Sequence, residues 1–326
     1  MTRWQPLYIG SAKHSFCSLE TSQTPTALPS GSTAFLTRGV AFSPSTMDPG
    51  SEPALDALLP ELTTTVLPSN GQLMAIETEE LVAASLSAMR ANLSKKPAWR
   101  LAPEATDDML LMFLRSEVFH PHKAADRYRK FWKTKIVLCG EDKAALPIKV
   151  EDARGGLDLE FCQIVPGSKD REGRQVVVVN TGQANKSLDR KLRVRAVWYI
   201  LLAALEDVET QRRGFCFVVS LKTARISQLD QKFNKMVLDS IQGTLPVRVG
   251  SMNMCYPPSF FKVIWMVIST FLHERVRQRF RFIYGTDQDV LQALEPTVAP
   301  HNLPPPMGQK PLDFQGWLSE RIKTEV

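Results

Sequence analysis

The stretch Gly173-Arg-Gln-Val-Val-Val-Val-Asn-Thr-Gly182 decides the fold predicted for this chain. Its four consecutive valines, at positions 176–179, lie between two glycines, and such a β-branched run is typical of a strand buried on both faces. Two further apolar runs, at 215–220 and 246–254, predict strands of the same kind, and 280–284 predicts a last one. Helical patterns at 188–208, 230–241 and 260–272 separate these strands. Because strands alternate with helices, we predict an α/β fold with a mostly parallel sheet covered by helices.

A small all-helical unit is predicted ahead of the sheet. Apolar residues recur at helical spacing from about position 72, and Thr106 is a suitable N-cap for a second helix. A third helix follows Pro121. The buried stripes are expected to be Val82, Leu86, Met89 and Leu93 in the first helix and Ala124, Tyr128, Phe131 and Lys135 in the third. We interpret the pair Gly155-Gly156 as the break at which the helical period gives way to strands.

Composition divides the chain into four segments. Residues 1–71 begin with a part, 1–47, that holds fifteen Ser or Thr and a single acid, Glu20. That composition is typical either of a disordered extension and linker or of an organelle transit peptide. The helical unit then covers 72–140, the α/β domain 141–310 and a C-terminal tail 311–326. The tail carries a short amphipathic pattern around Phe314, Trp317, Leu318 and Ile322.

The sequence carries no motif of a known catalytic or metal site. GxSxG, P-loop, GxGxxG and HExxH patterns do not occur, so we expect no enzyme, no catalytic residue and no metal. The five cysteines stand at least 23 residues apart, which excludes a CxxC clamp and favours a reducing compartment. The net charge of +6 is compatible with an anionic partner surface, either membrane or nucleic acid.

Apolar residues are more abundant in the C-terminal half than a simple core requires. Ten of the thirteen residues at 260–272 are apolar, too few to span a membrane but too many for an ordinary surface helix. Each apolar stripe taken alone is compatible with plain core packing. The helix at 260–272 lacks the polar face of a surface position, and one of its sides therefore needs a partner beyond the core beneath it.

Several motifs, in order, resemble those of one known family. Asp170-x-x-Gly173-Arg174 resembles its DxxGRP entry to the first strand. Asp108–Arg115 with Lys123-Ala124-Ala125, then Glu209-Thr210-Gln211-Arg212-x-Gly214, and finally Leu303-Pro304-x-x-Met307-Gly308 resemble its helical, central and closing motifs. The motifs span residues 72–310 at the family's spacing, so the chain resembles the CRAL-TRIO lipid-binding domain family. It departs from the family pattern at Ser220 to Thr223, at Tyr256 and at Gln309.

The resemblance implies an apolar lipid pocket, closed by a lid helix at 259–272. The positions that match the pocket wall in the family's tocopherol carriers are Val194, Val197, Leu201, Phe215, Val219, Val237, Ile241, Val247, Val249 and Met252. The lid side chains are Phe260, Phe261, Ile264, Trp265 and Ile268. Arg248, Arg275 and Arg279 match a phosphoinositide-binding cleft, although a solvated basic face is the alternative interpretation.

The expected function is that of a lipid-binding and transport protein that exchanges a hydrophobic ligand at membranes. Its partners would be the lipid, which takes the place of a cofactor, and a membrane surface with phosphoinositides, without nucleic acid. We expect a monomer that is cytoplasmic and transiently associated with membranes as a peripheral protein. One alternative is a CRAL-TRIO-like regulatory or protein-interaction module without lipid transfer. Another is a nucleic-acid or enzymatic role based on the basic residues.

Overall fold

The structure, a computed structural model, describes residues 63–67, 72–96 and 105–325. The predicted disordered extension or transit peptide lies outside the described residues over positions 1–62. Two short strands form the first described element: β1 (Thr64–Leu67) pairs antiparallel with β2 (Gln72–Ala75), and Val66 lies opposite Leu73. β1 lies within the segment predicted as a linker, where the β-branched run Thr64-Thr65-Val66 favours a strand. The first helix also begins later than position 72.

The predicted helical unit is confirmed. It comprises α1 (Glu79–Lys95), α2 (Asp107–Ser116) and α3 (Pro121–Cys139). The side chains of Thr78 and Thr106 cap α1 and α2 by accepting hydrogen bonds from backbone N–H groups. Aromatic rings fill the core between α2 and α3 in edge-to-face contacts, with ring centroids of Phe113 and Tyr128 5.2 Å apart.

The two glycines at 155 and 156 do not end a helical segment as predicted. They lie inside α4 (Val150–Leu157), which packs against α5 (Arg190–Ala204). A Cβ atom on Gly156 would stand 2.7 Å from the carbonyl oxygen of Leu192 and 2.8 Å from Cβ of Ala196. Gly156 therefore serves close helix packing, and the helical unit extends through Leu157.

The predicted mostly parallel sheet is confirmed. Among the described residues it has five strands in the order β3-β4-β5-β6-β7. The bounds are β3 (Cys162–Lys169), β4 (Gln175–Asn180), β5 (Phe215–Ser220), β6 (Val249–Cys255) and β7 (Phe280–Ile283). Strands β4 to β7 run parallel to their neighbours, whereas β3 pairs antiparallel with β4. Sequence periodicity did not predict β3, an edge strand interrupted by Pro166, Gly167 and a register shift.

Helices connect the strands and cover the sheet. After α5 come α6 (Val208–Arg213), α7 (Gln231–Gly243), α8 (Phe261–Ser269), α9 (Glu274–Arg277), α10 (Asp287–Leu294) and α11 (Phe314–Thr324). The predicted long helix at 188–208 ends at Ala204, and Asp207 caps the separate α6 by accepting from the N–H of Glu209. None of the described helices combines the length and apolarity needed to cross a bilayer.

One apolar cluster lies on each face of the sheet. On one face, Phe215, Phe217 and Val219 of β5 pack with α5, α7 and α8. On the other face, Cys216 and Val218 pack with α10 and the segment that follows it. The alternation along β5 assigns its odd-numbered residues to the face on which the predicted site lies.

Candidate functional site

The structure brings the predicted wall residues together. All ten belong to one continuous apolar cluster on the β5 face that carries Phe215, and they come from α5, β5, α7, β6 and the residue Val247. Eight of them are buried, while Val237 and Val249 are partly buried. Because these side chains lie within a packed cluster, the pocket itself stays a prediction.

The predicted lid corresponds to α8 and is apolar on two sides. Phe261 is buried, and Trp265 packs on β7, with its ring centroid 4.8 Å from those of both Phe280 and Phe282. The opposite side faces outward, and Val263 and Met266 are 62% and 64% exposed there. The remaining predicted lid residues, Phe260, Ile264 and Ile268, are partly buried. An exposed apolar face on a short helix is typical of a contact surface for an apolar partner.

An open apolar groove of about 110 Å³ separates α8 from α7. Leu238 of α7, Ile264 and Val267 of α8, and Phe271 are among the residues that line it. The groove means that α8 is not tightly packed on α7 along this side. On its other side α8 packs against β7 through the ring of Trp265.

A buried ion pair joins the two helices that supply half of the wall residues. Arg193 of α5 donates to the carboxylate of Asp230 at 2.7 Å and lies over the ring of Phe233, 4.5 Å from its centroid. Burial by itself raises the pKa of Asp230, but hydrogen bonds from the Phe233 N–H, Arg193 and Arg190 lower it to about 2. Despite its charge, Arg193 does not lie on a solvated side of the helix, since its side chain is buried. Spacing alone could not reveal a partner 37 positions away.

The three predicted phosphoinositide-binding arginines lie near one another. Arg248 precedes β6, Arg275 lies on α9, and Arg279 precedes β7. Burial lowers the pKa of Arg248 to about 10, and the positive charges of Arg275 and Arg279 act in the same direction, against the carboxylate of Glu117. The positive charges of these arginines therefore repel one another.

Among the described residues, no group of three His, Cys, Asp or Glu is arranged to hold a metal ion. The cysteines of this part, Cys139, Cys162, Cys216 and Cys255, are free. Burial raises the pKa of the Cys162, Cys216 and Cys255 thiols to about 12, which disfavours the reactive thiolate.

Comparison with known proteins identifies the domain. Residues 160–308 match the model of the CRAL/TRIO domain. Clavesin-2 of Rattus norvegicus is 25% identical over 232 residues, which are 68% of this chain and 68% of that protein. A tyrosine-protein phosphatase of Mus musculus, non-receptor type 9, is 27% identical over 124 residues, 38% of this chain and only 20% of that protein. The crystal structure of Sfh5 resembles 63% of this chain and 77% of that chain, with a TM-score of 0.43 and 11% identity. The family-model match alone assigns residues 160–308 of this chain to the CRAL/TRIO domain.

Proposed function

We propose that this protein binds a hydrophobic lipid between the sheet and the helices α5, α7 and α8, and exchanges it at membrane surfaces. The observation that carries the proposal is α8, which is apolar both where it packs on Phe280 and Phe282 and where it faces outward. A helix of this kind has an apolar partner on each side: the lipid and the wall when closed, the bilayer when displaced. Membership of the CRAL/TRIO family supports lipid binding in general terms.

The energetics of lipid transport require such a site. Each methylene removed from water contributes roughly 0.8 kcal/mol, so exposing a chain of about 16 carbons costs more than about 10 kcal/mol. A carrier offsets this cost only with an apolar container of similar quality. The cluster of wall residues supplies that surface, and displacement of α8 along the α7 groove supplies a route of entry.

The wall is tested by placing a charge in it. Leu201 is fully buried in the cluster, and Leu201→Arg should abolish the copurification and liposome extraction of lipid, as read by native mass spectrometry. Leu146→Arg is the matched control, since that leucine is exposed. If folded Leu201→Arg protein bound and transferred lipid as the wild type does, the pocket would be refuted. The chain would then fit the alternative, a regulatory or interaction module without transfer.

We further propose that Arg248, Arg275 and Arg279 bind the phosphates of a phosphoinositide headgroup. Guanidinium groups suit phosphate geometry, and the pKa of Arg248 is lowered by the two other charges as well as by burial. The double change Arg275→Glu with Arg279→Glu should weaken binding to phosphoinositide vesicles by about tenfold or more. Lys186→Glu with Lys191→Glu makes the same change in net charge at exposed positions elsewhere. If both double variants bound phosphoinositide vesicles equally well, the three arginines would form only a non-specific basic face.

A monomer in the cytoplasm that associates transiently with membranes fits this role. Exchange at a surface requires reversible contact, and the outward side of α8 with the neighbouring arginines supports such contact. Size-exclusion chromatography with light scattering, with and without vesicles, tests the monomer and its reversible binding.

A further inference from the structure

Glu77, between β2 and α1, is held by two arginines in the manner of a bound anion. Its Oε1 accepts from Nε of Arg115 at 3.0 Å and from Nε of Arg212 at 2.9 Å. Its Oε2 accepts from Nη2 of the same two arginines, at 2.9 Å each. Two guanidinium forks that each grip both oxygens form the arrangement with which arginines hold carboxylates and phosphates.

A third arginine completes the surroundings of this carboxylate. Arg248 lines the same small cavity as Glu77, Arg115 and Arg212. Its guanidinium donates to the carbonyl oxygen of Arg212 at 2.6 Å and to that of Leu73 in β2. The segment of β2 and Glu77 thus engages donors of three arginines at once, and one of them belongs to the proposed phosphoinositide cluster.

Polar contacts contribute to the attachment of this segment. β2 also contacts the body of the protein through the Gln72 amide, which donates to the carbonyl oxygen of Arg213 at 3.0 Å. Ala75 at the end of β2 packs against the apolar core, whereas Leu73 on the outer side of the hairpin is exposed. A hairpin with strands of four residues is marginal by itself, so its position depends on its contacts with the body of the protein, and several of these are polar. A stronger anion could take them over.

We propose that Glu77 is an internal substitute ligand in an anion site formed by Arg115, Arg212 and Arg248, and that a phosphorylated lipid headgroup displaces it. This inference rests on the proposed phosphoinositide binding, because Arg248 is common to both groups of arginines. A phosphate monoester carries about 1.5 to 2 negative charges and three acceptor oxygens, against one charge and two oxygens for Glu77. Headgroup binding then releases β2 from Arg248, so the hairpin acts as an autoinhibitory cover.

Removal of the charge at Glu77 is the direct test. Full-length Glu77→Gln should bind phosphatidylcholine vesicles containing phosphatidylinositol bisphosphate about five- to tenfold more tightly than the wild type, since the competing anion is lost. The matched control is Glu209→Gln. Glu209 also pairs with Arg212, at 2.9 Å, but its side chain is 47% exposed against 12% for Glu77. Its removal makes the same change in net charge and should alter binding by less than about twofold.

The outcomes separate this inference from the proposed function. If the wild type binds these vesicles better than phosphatidylserine vesicles of equal charge, and Glu77→Gln binds no better than Glu209→Gln, only the substitute-ligand inference fails. If neither the wild type nor Glu77→Gln shows that preference, phosphoinositide binding fails as well. A preference that appears only in Glu77→Gln supports the inference strongly.

A second measurement does not depend on the folding of a variant. Hydrogen–deuterium exchange of the wild type should become faster in the 72–77 backbone when phosphoinositide vesicles are added. Soluble inositol trisphosphate is added in a parallel experiment, and faster exchange with it shows that the phosphates alone displace Glu77. An effect of vesicles alone identifies the membrane-held headgroup. Unchanged or slower exchange with both probes would overturn the proposal.

Discussion

Lys135 shows how one buried charge is accommodated. Its side chain on α3 is buried, its Nζ donates to the carbonyl oxygen of Leu146 at 2.8 Å, and it lies 5.0 Å from the ring centroid of Trp132. Burial lowers the pKa of Lys135 from 10.5 to about 8, although the charges of Cys139 and Asp152 oppose the shift. Between these two values the unfolded chain binds the proton and the folded chain does not. Stability from this group therefore rises as the pH rises from about 8 to 10.5.

Lys135→Met should abolish that rise. The methionine fills similar space without a buried charge, so the free energy of unfolding at pH 7 should stay within about 1 kcal/mol of the wild type or increase. Urea denaturation at pH 7, 8 and 9 measures the effect, with exposed Lys133→Met as the control. A Lys135→Met protein that gained stability with pH as the wild type does would contradict the assignment.

The Asp170-x-x-Gly173-Arg174 motif has a structural explanation at the same scale. Asp170 accepts from Nε of Arg174 at 2.6 Å, and both side chains are buried. Gly250 of β6 lies against this arginine, so that a Cβ atom there would stand 2.2 Å from Cδ of Arg174. Gly250→Ala should therefore cost about 1–3 kcal/mol of stability in urea denaturation. Gly243→Ala, where a Cβ atom meets nothing within 4 Å, should be neutral or stabilising, and an equal loss at both glycines would refute the explanation.

At the scale of elements, α8 combines a packed side and an exposed side. Val263→Asp with Met266→Asp changes only the outward side, so stability should be unchanged while partition onto vesicles falls by about tenfold or more. Val137→Asp with Leu146→Asp places the same charges at exposed apolar positions elsewhere. Vesicle co-sedimentation of both double variants compares them. Equal partition would show that α8 does not contact the membrane.

For the whole molecule, a bound lipid should stabilise the folded state. A ligand that binds only the folded chain adds about 2.7 kcal/mol at a hundred times its Kd. Thermal unfolding of lipid-loaded protein should therefore occur several degrees above that of delipidated protein. Loaded protein that native mass spectrometry shows to hold a lipid, yet unfolds at the same temperature, would mean that the lipid lies outside the folded core.

How much of the whole fold the sequence could predict depends on whether the signal for each element is local. Apolar periodicity and β-branched runs are local signals, and they sufficed for β4, β5, β6, β7 and for the helices α1, α2 and α3. The ordered motifs were enough for the family resemblance. Periodicity failed at β3, where Pro166 and Gly167 interrupt an edge strand, and at Gly156, where a glycine serves close packing instead of ending a helix.

The sequence by itself determined the α/β fold and the unusual character of α8, because both depend on neighbouring residues, whereas the wall positions were implied by the family resemblance. Only the tertiary structure decided which charges meet. Arg193 pairs with Asp230, which lies 37 positions away in the sequence, and Glu77 pairs with Arg212, which lies 135 positions away. The physical reason is that charged side chains show no period along the chain. Their partners depend on how the chain folds back, and on which carboxylate is buried beside them.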